Sequence, residues 1–173
     1  QPLVDWPANE HGIFVDSAGF VWIGGNQDIG GKHIVVKFTP EGRHVLTLGV
    51  PGETGGSNDT ARLGRPADIA VDTETQEVYI ADGYLNRRVI VFDSETGQFK
   101  RHWGAYGNTP DDSPLPPYNN ESGYSLPEQF LGPVHAVVLG PDELVYVADR
   151  TANRIQIFQK DGSFVREKQL APL

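Results

Sequence analysis

The chain has 173 residues, and its 14 lysines and arginines are outnumbered by 23 aspartates and glutamates, so the formal net charge is −9. This acidity argues against a nucleic-acid partner, because nucleic acids are bound by clustered Lys and Arg. The sequence contains no cysteine, which excludes disulfides, zinc–thiolate sites and thiol nucleophiles. No segment approaches the roughly 18–20 apolar residues of a membrane span. Because the sequence contains no methionine, we expect a processed chain or a piece of a longer one.

Three segments repeat along the chain, and each contains four short β-branched or aromatic runs separated by turn residues. Four strands in a unit of about 40–45 residues are typical of a β-propeller blade. The predicted fold class is therefore all-β, with residues 1–173 forming part of a propeller. Because a closed propeller has about 4–8 blades, we expect further blades, or a second copy of the chain, to close it. The predicted blades are 8–49, 65–104 and 131–170, and the long connectors are 50–64 and 105–130.

The connector 105–130 is rich in proline and tyrosine and is longer than a link between blades requires. Long loops on a rigid scaffold often carry recognition. A solvent-exposed insertion explains the same composition equally well, and the sequence leaves both interpretations open.

Two histidines share one position in the repeats. His11, Asp68 and His135 align just ahead of the first strand of successive blades, and the first strands line the central channel of a propeller. Imidazole is a common ligand of zinc, and a catalytic zinc site uses about three protein ligands. The two histidines are therefore candidate metal ligands, although channel histidines bonded to nearby carbonyls would give the same pattern. The other histidines fall on outer strands and are predicted to lie at the surface: His33, His44 and His102.

A second shared position follows the second strand, where Asp82 and Asp149 recur. Aspartates at such places usually bond backbone groups of the following turn. Two recurring arginines, Arg88 and Arg154, are predicted to pair either between blades or with these aspartates. These four residues are therefore expected to stabilise the fold.

Tyr84 and Arg150 lie beside those aspartates and do not recur in the other repeats. A phenol becomes a general base when a nearby cation or metal lowers its pKa. A guanidinium presents a fork that fits a carboxylate. The pair would suit a small substrate that carries a carboxylate.

The repeats resemble NHL repeats. A series of segments along the chain also resembles, in the same order, the peptidyl-α-hydroxyglycine α-amidating lyases. The segments that carry this resemblance are 11–16, 65–72, 78–86, 101–104, 132–135, 147–150 and 154–156. The resemblance implies a six-bladed propeller with a zinc held by three histidines and a calcium lower in the channel. It also implies cleavage of a peptidyl-α-hydroxyglycine to a peptide amide and glyoxylate.

Carried over position by position, the resemblance makes His11 and His135 zinc ligands, and makes Tyr84 and Arg150 catalytic. The backbone carbonyl of Ile13 falls at the calcium site. The third histidine, a second arginine and a calcium aspartate would lie in blades that this sequence does not contain. The resemblance also favours a bacterial protein that is secreted or periplasmic. The alternative is a propeller without catalysis that binds a peptide, a protein or a glycan.

Overall fold

Three antiparallel sheets account for nearly all the regular structure of the chain. The computed structural model describes residues 5–26, 32–119 and 125–170. Each sheet has four strands in sequence order, as expected for a propeller blade. The first sheet contains β1 (Glu10–Val15), β2 (Val21–Gly25), β3 (Val35–Phe38) and β4 (His44–Leu48). The second contains β5 (Pro66–Asp72), β6 (Glu77–Asp82), β7 (Arg88–Asp93) and β8 (Phe99–Trp103). The third contains β9 (Val134–Leu139), β10 (Val145–Asp149), β11 (Arg154–Phe158) and β12 (Phe164–Gln169).

Helix is almost absent from the described residues. A single 3₁₀ turn, Ala105–Gly107, follows the second sheet. No helix in these residues is long and apolar enough to cross a membrane. The all-β fold class predicted from the repeats is confirmed, with three blades of the NHL type.

The first strands β1, β5 and β9 lie next to one another. A Cβ built on Gly12 of β1 would come within 2.9 Å of the Ala67 carbonyl oxygen in β5. Between the next pair of sheets, the backbone N–H of Val137 donates to the carboxylate of Asp68 at 3.1 Å. These close approaches bring residues at the start of each first strand into one region.

Apolar side chains fill the space between neighbouring sheets. Trp22 in β2 and Tyr79 in β6, each directly after a valine of its strand, are fully buried there. Tyr146 follows a valine in the same way in β10 but is only half-buried, and its hydroxyl donates to Asp142 at 2.7 Å. The reason is its place in the last sheet, beyond which the described residues provide no further sheet to cover it.

Buried ion pairs fix the ends of the second and third blades. Arg88 donates to Asp82 at 2.9 Å and Arg154 to Asp149 at 3.1 Å, and all four side chains are inaccessible to solvent. The arginine–aspartate pairing follows the sequence prediction. The aspartates, however, accept backbone N–H groups from the segment entering their own first strand, such as Gly64 for Asp82 at 2.7 Å, and not from the following turn. The antiparallel pairing of the first and second strands brings that segment beside them.

The two long connectors contact each other. The Ser57 hydroxyl donates to Asp112 at 2.5 Å, and the Arg87 guanidinium donates to the carbonyls of Asp111 and Ser113. The first part of connector 105–130 is therefore anchored on connector 50–64, which makes it part of the folded surface. Residues 120–124, including Tyr124, lie outside the described residues.

Candidate metal and active site

The candidate site lies where β1 and β9 begin and where β6 and β10 end. His11 and His135 are the second residues of β1 and β9. Both therefore lie inside the first strands, and not just ahead of them as the repeats predicted. Tyr84 comes two residues after β6, and Arg150 comes directly after β10. In each sheet the start of the first strand pairs with the end of the second strand. The histidine position of the first strand therefore lies close to the position that follows the second strand.

The Tyr84 hydroxyl lies between the two histidines. Its oxygen is 3.2 Å from Nε2 of His11 and 3.1 Å from Nε2 of His135. The imidazole ring centroids are 5.6 Å apart. Three side chains from three different blades thus converge on one point, and all three are partly exposed to solvent.

Hydrogen bonding orients the His11 ring. Its Nδ1 lies 2.7 Å from the carbonyl oxygen of Ala67, and a carbonyl can only accept, so Nδ1 carries the proton that is donated. In the neutral imidazole, Nε2 then presents its lone pair to the Tyr84 hydroxyl. A histidine that ligates a metal typically donates its other ring N–H in this way.

The second histidine is held in its neutral form. Burial lowers the pKa of His135, and the nearby charge of Arg150 and the His11 ring lower it further, while Asp68 opposes them. The net pKa lies below the usual value. A neutral imidazole is the form that ligates a metal and accepts a proton.

Two guanidinium groups approach the phenol ring. The Arg150 guanidinium carbon is 5.8 Å from the Tyr84 ring centroid, and that of Arg65 is 5.2 Å away. Both distances are within the range of cation–π attraction. Sequence reasoning identified Arg150 but missed Arg65, which it treated only as the first residue of a repeat motif. The signal available was its position directly before a first strand.

The donor set fits part of a zinc site. Two imidazole Nε2 atoms face one point, and one of the rings is oriented by a carbonyl. Residues 5–26, 32–119 and 125–170 contain no group of three or more His, Cys, Asp or Glu side chains able to hold a metal. A catalytic zinc uses about three protein ligands, and the described residues offer two imidazoles at this point.

The channel wall below the histidines is apolar and open. A cleft of ≈ 380 Å³ lies between the first strands and is lined by Ile13, Asp68 and Val138 among others. Ile13 is 70% exposed and Val138 55%. Ile13 was expected to offer its carbonyl to calcium, and it lies on this open wall, two residues beyond His11. Large exposed apolar side chains in a row usually mark a surface that another protein segment covers.

Of the histidines predicted to lie at the surface, His33 is the exception. Its side chain is only 2% exposed, and its Nδ1 lies 2.8 Å from the hydroxyl of Thr54 in connector 50–64. The surface prediction for His33 is wrong because this connector folds over it. His44 is exposed, and His102 is half-buried.

No family model matches this chain, but curated proteins resemble most of it. It is 35% identical over 163 residues to the rat peptidylglycine alpha-amidating monooxygenase, covering 91% of this chain and 14% of the rat protein. It is 34% identical to the human NHL repeat-containing protein 3, of which it covers 40%. A probable peptidyl-alpha-hydroxyglycine alpha-amidating lyase of Caenorhabditis elegans is 28% identical, with 36% covered. The chain thus spans less than half the length of these relatives.

Solved structures support the fold. A protein from Lactobacillus plantarum matches with a TM-score of 0.62 at 15% identity, covering 98% of this chain and 44% of that one. Virginiamycin B lyase from Staphylococcus aureus matches with a TM-score of 0.56 at 16% identity, covering 94% and 42%. At these identities the likeness concerns the fold alone. The amidating enzymes and the NHL repeat proteins are this chain's homologues, and its fold is that of propeller blades.

Proposed function

We propose that this segment of an NHL-type propeller, homologous to the amidating enzymes, forms part of the active site of a lyase. The lyase cleaves the N–Cα bond of a peptidyl-α-hydroxyglycine and yields a peptide amide and glyoxylate. The observation that carries the proposal is the Tyr84 hydroxyl lying 3.1–3.2 Å from Nε2 of both His11 and His135. Such a reaction needs a base for the substrate hydroxyl and a cation for the substrate carboxylate. The phenol between the two imidazoles can serve as the base, and a flanking arginine can serve as the cation.

Each group has a definite task in this proposal. Tyr84 accepts the proton of the substrate hydroxyl through its phenolate oxygen. The C–O bond then becomes the carbonyl of glyoxylate as the N–Cα bond breaks, and the amide nitrogen receives a proton. Arg150 holds the substrate carboxylate through a charge-assisted, bidentate contact. His11 and His135 lie on either side of the phenol oxygen, and their Nε2 atoms are available as metal ligands.

The same histidines would hold the zinc, together with a ligand from outside this chain. Zinc, when bound, would supply Lewis-acid polarisation of the substrate hydroxyl and make its proton easier to remove. A calcium at the Ile13 carbonyl belongs to the same proposal as a structural ion of the channel. Both ions would serve as cofactors of the closed propeller.

The proposal also concerns partners and location. The open wall around Ile13 and Val138 suits the remaining blades of the propeller, or a second copy of the chain, and the substrate would be small and peptide-like. A secreted or periplasmic location would give the enzyme access to such peptides. The net charge of −9 argues against nucleic acid as a partner.

Turnover of an N-acyl-α-hydroxyglycine tests the lyase function. We expect the full native chain to release glyoxylate, and we expect Tyr84→Phe to reduce kcat by about 100-fold or more, since general base catalysis contributes about 10²–10⁴. Tyr146→Phe, on β10 with its hydroxyl bonded to Asp142, is the matched control and should leave kcat unchanged. Glyoxylate release by Tyr84→Phe at the native rate would remove Tyr84 from the mechanism.

A binding propeller without catalysis is the second candidate, favoured by the 34% identity to the human NHL repeat-containing protein 3. In that case the blade ends and the connectors would present a surface to a peptide, a protein or a glycan. Metal analysis separates the two functions. Intact protein without bound zinc and without glyoxylate release would support the scaffold.

A further inference from the structure

A residue with a left-handed backbone leads into each first strand. Asn9 and Arg65 directly precede β1 and β5, and Gly132 lies two residues before β9, with φ of 55°, 62° and 76°. Glycine adopts this conformation without strain, and asparagine tolerates it better than most residues. An arginine here is an exception, and an outlier of this kind is a reason to look for a function of its side chain.

The local contacts show what the Arg65 side chain does. Its Nε donates to the carbonyl of Asn26 at 2.9 Å, which ties the second blade to the first. Its guanidinium carbon lies 5.2 Å from the Tyr84 ring centroid. In addition, the backbone N–H of Tyr84 donates to the Arg65 carbonyl at 3.3 Å. The guanidinium is therefore oriented at two points beside the proposed catalytic phenol.

The corresponding places in the other blades are different. In the first blade, Asn9 donates through its side chain to the side chain of Asn26 at 2.5 Å, which forms a neutral pair. In the third blade, Gly132 has no side chain, and the cation comes from Arg150 on the second strand's end. Among the three described blades, the second alone combines a cation and a phenol at this place.

We propose that Arg65 binds a carboxylate of the substrate and acts with Arg150 as a specificity-determining pair. This assignment rests on the proposed function, because it places the substrate against Tyr84. Two guanidinium groups beside one phenol select an anionic ligand, since each presents several N–H donors in a fixed fork. The preferred ligand class is an N-acylated α-amino acid with a free carboxylate, and the corresponding amide is disfavoured.

Calorimetric binding of two uncleavable ligands tests the assignment in the full native chain. N-benzoylglycine has the carboxylate but lacks the reactive hydroxyl, and N-benzoylglycinamide replaces the carboxylate by a neutral amide. We expect Arg65→Gly to weaken binding of the acid by about 10- to 100-fold, the range for a charged hydrogen bond. Binding of the amide should change by less than about twofold. Arg65→Lys, which keeps the charge, should recover part of the affinity for the acid.

Arg65→Gly suits the left-handed backbone but removes the bond to the Asn26 carbonyl, so its melting temperature is measured to show that the variant is folded. The control is Arg43→Gly, on a surface turn with a side chain 69% exposed, which should leave both affinities unchanged. Equal effects of Arg65→Gly on acid and amide, or no effect on either, would overturn the assignment, as would a native chain that binds neither ligand. Because the readout is binding, a chain that binds the acid through Arg65 without releasing glyoxylate refutes the lyase and leaves the Arg65 assignment intact.

Discussion

Asp82 and Tyr84, two residues apart at the end of β6, differ in burial, in their partners and in whether they recur in the other blades. Asp82 is inaccessible to solvent and pairs with the equally buried Arg88. Tyr84, two residues further on, is partly exposed and contacts side chains from two other blades. The first place recurs in the third blade as Asp149 and Arg154, and the second does not. In a repeat protein, residues that are buried and recur from blade to blade are therefore those that stabilise the blade. Residues at the channel that do not recur are candidates for catalysis or binding.

The reason is the cost of burying charge. A buried carboxylate is tolerated only when a counter-charge and several N–H groups satisfy it, so the whole arrangement must recur together. A half-exposed phenol carries no such requirement, because water can satisfy its hydroxyl. The channel position is therefore free to vary from blade to blade.

The largest effect on stability is expected from Arg88→Met. Removing the guanidinium leaves the Asp82 carboxylate buried and unpaired, and also breaks bonds to the carbonyls of Ser57 and Arg62. Loss of one partner of a buried pair costs about 3–5 kcal/mol. Urea unfolding of the full native chain measures this loss, with the exposed Arg43→Met as the control. A loss no larger than that of the control would show that burial and recurrence do not identify the residues that hold the blade.

An intermediate effect is expected at Glu77, on the side of the second blade that faces the third. Burial raises the pKa of Glu77, but hydrogen bonds from Arg101 and Tyr79 outweigh it and bring the pKa from its usual 4.5 to about 2. Because the folded pKa is depressed, the stabilisation is complete above the unfolded pKa. It is lost as pH falls from about 4.5 towards 2.

Glu77→Gln tests this pH dependence. At pH 7 the variant should be less stable by about 1–3 kcal/mol, and the difference from the native chain should shrink as the pH approaches 2. Urea unfolding between pH 7 and pH 2.5 provides the comparison, and the exposed Glu41→Gln serves as control. A difference that stays constant with pH would mean that the ionised Glu77 does not stabilise the fold.

The smallest effect on stability is expected from Tyr84→Phe. The hydroxyl bonds only the two imidazoles among its described contacts, and the ring remains. Thermal and urea unfolding should agree with the native chain within about 0.5 kcal/mol, even though turnover is lost. A loss comparable to that of Arg88→Met would place Tyr84 among the residues that hold the fold.

Much of this architecture could be predicted because blades repeat. Alignment of the repeats located the twelve strands and placed His11 and His135 at the same position of alternate blades. It could not reveal the role of Arg65, because that depends on a backbone angle and on the direction of one side chain. It also misplaced His33, since the path of connector 50–64 over that residue has no counterpart in the repeats. The repeat pattern predicts neither the path of segments that do not repeat nor the direction of individual side chains.

The central claim is that His11 and His135 bind one metal ion, and zinc titration of the full native chain tests it most directly. We predict about one zinc per chain and a loss of affinity of tenfold or more in both His11→Ala and His135→Ala. His44→Ala, which removes an exposed imidazole bonded to Thr47, should bind zinc as the native chain does. Zinc affinity that is unchanged by either channel substitution, or reduced equally by His44→Ala, would contradict the account.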